Sequence, residues 1–153
     1  MAYAGTSPTP LPTTWRFRVF GKIFRFVSRV LSRPSSERLP NLDDGPVVFV
    51  ANHTSMSDVF FAIATLSDWK YPARCLVRYA YFANPLMGTF LRNVDCVPAG
   101  GGGTDAVAVA VETLDAGRPV AGMVEGRIVP PEDRSPGGMA DFRDGFVAIA
   151  RKA

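Results

Sequence analysis

The sequence predicts an α/β fold: a mostly parallel sheet flanked by helices, with an amphipathic helix in front of it. Three observations carry this. Short apolar runs rich in Val recur at 47–50, 73–77, 94–98 and 119–124, too short for helices and bounded by Gly, Pro or charged residues. Segments of helical length and composition separate them. Alternation of strands with helices implies a parallel sheet built from crossover units.

Composition sets the frame. A chain of 153 residues with 47% apolar content is one domain, large enough to bury roughly two-thirds of its unfolded surface. The formal charge of +3 is unevenly placed: Arg16, Arg18, Lys22, Arg25, Arg29 and Arg33 fall together with no acidic residue among them, which points to a local anionic partner. Cys75 and Cys96 match neither a metal spacing nor a disulfide framework and read as buried free thiols in a reducing compartment. Residues 1–14 lack a charged start followed by an apolar core. No apolar run approaches the roughly 20 residues that span a bilayer.

Taken in order, 1–14 is a Pro-, Thr- and Ser-rich tail without the composition to fold. Residues 15–33 hold a basic amphipathic helix. Over 15–31, Arg18, Lys22, Arg25 and Arg29 line one face, while Phe20, Ile23, Phe24, Val27, Val30 and Leu31 lie largely on the other. Such a helix suits the interface of an anionic membrane, with Trp15 at one end; it also suits packing on the domain with its basic face solvated. Nucleic acid is not indicated, since no binding motif accompanies the charge.

Residues 34–45 form a linker, and 46–153 the domain proper. Its first strand, 47–50, reads as buried. A helix over 58–67 follows, with Ser57 at the N-cap position. After the second strand, 79–93 looks helical but breaks at Asn84-Pro85. The loop 99–103 leads to a helix over 105–116, capped by Thr104-Asp105. The last strand precedes a Pro/Gly-rich loop over 128–140 and a helix within 141–153.

Polar residues cluster where three of these strands end, which is where ligands bind in open α/β sheets. His53, the one histidine, follows the first strand and is followed five residues later by Asp58. Neither a regular helix nor a strand brings residues five apart to one face, so the two meet only if Thr54 to Ser57 turns. Asp58 would then accept a hydrogen bond from one ring nitrogen and leave the other as a base. Arg78 ends the second strand, and Glu125-Gly126-Arg127 the fourth. The arginines suit a phosphate, and Glu125 could accept from a substrate hydroxyl.

These residues together resemble the glycerolipid acyltransferase family, best known for its 1-acyl-glycerol-3-phosphate acyltransferases. Asn52, His53 and Asp58 match its Asn-His-x4-Asp motif. Arg78 with Pro85-Leu86-Met87-Gly88 is similar to its basic residue and Pro-x-x-Gly segment. Val124-Glu125-Gly126-Arg127-Ile128 resembles its Glu-Gly-Arg-Ile variant, and Phe142-Arg143-Asp144-Gly145 its Phe-basic-x-Gly stretch. The resemblance implies acyl transfer from acyl-CoA or acyl-carrier protein to a lysophospholipid hydroxyl in phospholipid biosynthesis. His53 would be the base and Asp58 its orienter. Arg78, Glu125, Gly126 and Arg127 would bind the acceptor, no metal or bound cofactor would take part, and the protein would sit peripherally on the cytoplasmic face of a membrane, held through residues 15–31. A metal-dependent hydrolase is poorly supported, with one histidine and no clustered carboxylates.

Two departures bear on this. The family's second motif ends in an arginine after the third strand, where this chain has Ala99 or Gly100. The family pattern also continues with a strand carrying Val-Pro-x-x-Pro, whereas the sequence stops at Arg151-Lys152-Ala153, so the C-terminal part of the fold is expected to be missing. The alternatives are an acyltransferase acting on another lysolipid and a non-catalytic, membrane-associated remnant of the fold.

Overall fold

A computed structural model describes residues 15–31, 45–101, 103, 105–138 and 140–153. The tail over 1–14, Arg33, linker residues 34–44 and Thr104 lie outside the described residues. Helix α1 (Trp15–Leu31) precedes strand β1 (Val48–Ala51), α2 (Asp58–Asp68), β2 (Arg74–Arg78), α3 (Tyr79–Ala83), α4 (Pro85–Asn93), β3 (Val97–Ala99), α5 (Ala106–Asp115), β4 (Val120–Met123) and α6 (Gly145–Lys152). The Pro/Gly-rich loop contains one 3-10 turn, Pro131–Asp133.

The four strands are all parallel, in the order β1-β4-β2-β3. The chain steps from β1 to β2 to β3 in one direction, through α2 and then α3 and α4. It returns from β3 to β4 through α5. Right-handed crossovers in opposite directions place their helices on opposite faces, and two cores result. One contains Phe17, Ile63, Leu66, Cys75, Leu91 and Ala121; the other contains Ala110, Leu114, Val120 and Ile149. Adjacent residues divide between them, Cys75 from Leu76 and Val120 from Ala121, as strand periodicity requires. The first strand is not the buried strand the sequence suggested. It is an edge strand of half-buried and exposed residues, with Val50 55% exposed, because β4 inserts beside it and nothing pairs with its other side among the described residues.

Local chemistry explains where helices start. Asn84 accepts from the amides of Leu86 at 3.1 Å and Met87 at 3.0 Å, so the break before Pro85 starts a second helix. Asp105 caps α5 in the same way, accepting from Val107 at 3.0 Å and Ala108 at 3.1 Å. Ser57 stands at the N-cap of α2 but makes no side-chain cap bond. Its hydroxyl pairs with that of Ser55 at 2.8 Å.

Helix α1 lies on α2. Phe17 is 2% exposed, and Phe20 and Phe24 join a ring cluster with Phe60 and Phe90, centroids 5.0 to 5.7 Å apart across the helices. Gly21 permits the approach: a Cβ there would sit 2.4 Å from Ser67 Oγ. Arg25 pairs with Asp68 at 2.8 Å, and Arg29 with the same carboxylate at 3.6 Å. The packing reading holds for one sector of this helix. Its phenylalanines at 17, 20 and 24 dock on the domain, while Trp15, Val19, Ile23, Phe26 and Val30 remain between 43% and 70% exposed. At about 100° per residue, those five occupy an arc of roughly 80°. Among the described residues no helix is long and apolar enough to cross a membrane.

Candidate active site

Because β4 lies between β1 and β2, the turn after β4 is flanked by the ends of both. The first polar site is formed by the turn at Thr54–Ser57. Asp58 opens α2, and its side chain folds back over that turn, accepting from the Thr54 amide at 2.7 Å and the Ser55 amide at 2.8 Å. The same oxygen, Oδ2, lies 3.0 Å from His53 Nδ1. The sequence required a turn for these two residues to meet, and the turn is there. Burial alone would raise the Asp58 pKa, but the Ser55 amide, the His53 ring and the Thr54 amide outweigh it and hold the carboxyl below its ordinary value. An ionised Asp58 accepts, so Nδ1 is the donor in this contact, and in the neutral ring Nε2 would keep its lone pair.

Glu125 is placed differently from the sequence expectation. It is 2% exposed and faces the histidine's main chain. Its Oε2 accepts from the His53 amide at 3.0 Å and from Arg134 Nη2 at 3.0 Å. Oε1 accepts from Arg134 Nη1 at 2.9 Å and from the Ala140 amide at 3.2 Å. A carboxylate has about four acceptor positions, and protein donors take them all, so no substrate hydroxyl is needed to satisfy it. Burial raises the Glu125 pKa, while the His53 and Ala140 amides and Arg134 lower it, and the net shift is downward. Arg134 also donates to the His53 carbonyl. The peptide units on both sides of the catalytic-candidate ring are thus held by one ion pair. Sequence reading missed Arg134, which sits in the loop over 128–140.

Gly126 takes φ +66°, a conformation that favours glycine. Arg78 and Arg127 are exposed, and neither carries an ion pair among the described residues. Both line, with His53, Asp58 and Gly126, an open cavity of about 1870 Å³. Phe49, Val59, Leu66 and Trp69 give it an apolar wall beneath α2. Ala99 and Gly100 line it as well, and Ala99 is the lateral partner of Arg78. Cys75 and Cys96 are buried and unbridged.

A family model described as Acyltransferase matches residues 32–153. The chain belongs to the glycerolipid acyltransferase family. No curated protein and no solved structure matches it. In this acyltransferase the match takes in all four strands and the His53, Arg78 and Glu125–Arg127 positions, and leaves α1 outside.

Proposed function

We propose that this acyltransferase moves an acyl group from a thioester donor, acyl-CoA or acyl-carrier protein, to the hydroxyl of a lysophospholipid such as 1-acyl-glycerol-3-phosphate, a step of phospholipid biosynthesis. The observation that carries the reading is the 3.0 Å contact between His53 Nδ1 and Asp58 Oδ2 at the edge of a cavity with both arginines and an apolar wall. His53 Nε2 takes the hydroxyl proton, and the oxygen attacks the thioester carbonyl. The tetrahedral adduct then expels the thiolate, which recovers the proton from the imidazolium. Arg78, Gly126 and Arg127 border the acceptor, and Glu125 serves it by holding His53. The acyl chain lies along the apolar wall beneath α2.

The exposed arc of α1, bordered by Arg18, Lys22 and Arg29 on the helix surface, supports a peripheral position on an anionic, cytoplasmic membrane surface where such acceptors and donors meet. The experiment is thiol release from acyl-CoA with a lysophospholipid acceptor. We expect turnover that disappears in His53→Ala and falls about 10²- to 10⁴-fold in Asp58→Asn. A folded sample without turnover defeats the reading and leaves a non-catalytic remnant of the fold. A second reading, transfer to a different lysolipid, draws on Ala99 standing where the family pattern has arginine. Ala99→Arg raising activity on the phosphate-bearing acceptor alone would favour it.

A further inference from the structure

Among the described residues most guanidinium groups are engaged. Arg74 and Arg118 close on Asp95 at the amino edge of the sheet, Arg134 on Glu125, Arg25 and Arg29 on Asp68, and Arg92 on the Phe82 carbonyl. At the carboxyl edge, Arg78, Arg127 and Arg143 are not paired among the described residues, and all three line the cavity that holds His53.

Arg143 reaches the cavity from a different part of the chain. Its amide donates to the Val124 carbonyl at 2.8 Å, which pins residue 143 beside the end of β4. Its side chain then lies across Gly126. A Cβ on Gly126 would stand 3.1 Å from Arg143 Nε, 3.2 Å from Cγ and 3.3 Å from Cδ. The missing Cβ and the left-handed backbone at 126 together let the Arg143 stem lie on the turn that carries Arg127. At the end of β3, by contrast, Ala99 stands level with Arg78 and offers no charge.

We infer that Arg143 is a phosphate ligand: with Arg127 and Arg78 it forms a site for a phosphate monoester on one of the two substrates, and it supplies the cation that Ala99 does not. The acyl-transfer reading above says which molecules carry that phosphate; the site's own chemistry comes from the arginines. Asp133, Asp141 and Asp144 also line the cavity, so recognition comes from guanidinium forks matched to phosphate oxygens and not from net charge.

The test uses the full chain, with lysophosphatidic acid and monoacylglycerol as paired acceptors and acyl-CoA as donor. In Arg143→Gln, kcat/KM for lysophosphatidic acid relative to monoacylglycerol should fall at least about tenfold. Arg151→Gln, an exposed change at the end of α6, should leave that ratio alone. A comparable rise in KM for acyl-CoA with the acceptor ratio unchanged assigns the site to the donor's phosphate instead. No change in either overturns it. Should the wild-type chain show no turnover, which sinks the acyl-transfer reading, the site is read by NMR titration with glycerol 3-phosphate. Binding weakened about tenfold by Arg143→Gln supports it; equal binding, or none by the wild type, overturns it.

Discussion

Glu125 and Arg134 grip one peptide segment from two sides: Glu125 accepts the His53 amide at 3.0 Å, and Arg134, bonded to both oxygens of Glu125, donates to the His53 carbonyl. The pair is almost wholly buried, with side-chain exposures of 8% and 0%. Removing one member leaves the other charged and unpaired, which typically costs about 3–5 kcal/mol. Arg134→Met should lower stability by that amount in urea unfolding. Glu125→Gln combined with Arg134→Met should cost clearly less than the two single changes added. The double variant should still turn over slowly, with kcat reduced more than KM is raised, because His53 loses its anchors. Strict additivity in urea would show that the pair is not coupled.

The acid limb of stability follows from the same carboxylates. Glu125 and Asp58 are both held below their ordinary values of 4.5 and 3.8. A carboxylate with a depressed folded pKa contributes stability that is fully present above its unfolded value. That contribution is lost as pH falls through the folded one. Urea midpoints should therefore change little through this mechanism between about pH 7 and pH 5 and drop below about pH 4. Glu125→Gln, less stable at neutral pH, should show a flatter decline over that lower range. An acid limb as steep as the wild type's would remove Glu125 from this role.

Much of this was legible in the sequence, for reasons that differ by site. For His53 and Asp58 the spacing set a condition, a turn over Thr54 to Ser57, and the family motif implied the pairing that the 3.0 Å contact shows. The cap at Asp105 followed from residue type, and the break at Asn84-Pro85 from the proline; that Asn84 caps the second helix did not. The edge position of β1 did not, because strand order depends on where β4 inserts, and a short Val-rich run looks the same at an edge or a centre. Arg134 was invisible because a Pro/Gly-rich loop has no periodicity, and its partner lies across the β4 turn. The spread of phenylalanines around α1 favoured lipid over protein as their partner, and the docking of Phe17, Phe20 and Phe24 on the domain was not foreseen. Gly21, set among Phe17, Phe20 and Phe24, was the available sign that one side of the helix packs closely.

Gly88 in the Pro85–Gly88 segment is a place where two effects compete. It lies inside α4, where alanine would be favoured by about 1 kcal/mol on helix propensity. A Cβ there would stand 2.3 Å from the Phe82 carbonyl oxygen and 2.9 Å from Arg92 Nη1. The carbonyl belongs to the backbone of α3 and cannot swing aside, so overpacking, at about 1–3 kcal/mol, wins. Gly88→Ala should lower the thermal midpoint, and a stabilised variant would mean that α3 yields freely.

The two sectors of α1 separate cleanly by mutation. Phe17→Ala removes a side chain 2% exposed and should cost about 3–5 kcal/mol of stability. Phe26→Ala removes one 70% exposed and should leave the melting curve almost unchanged. On vesicles containing anionic lipid the order reverses: burying a Phe side chain contributes about 1.5–3 kcal/mol, so Phe26→Ala and Ile23→Ala should each weaken binding by roughly tenfold. Lys22→Gln should weaken it by about 1 kcal/mol, and its effect should fade as salt rises. If the wild-type chain does not bind such vesicles at low salt, or if Phe26→Ala binds them as well as wild type does, the exposed arc is not a membrane contact.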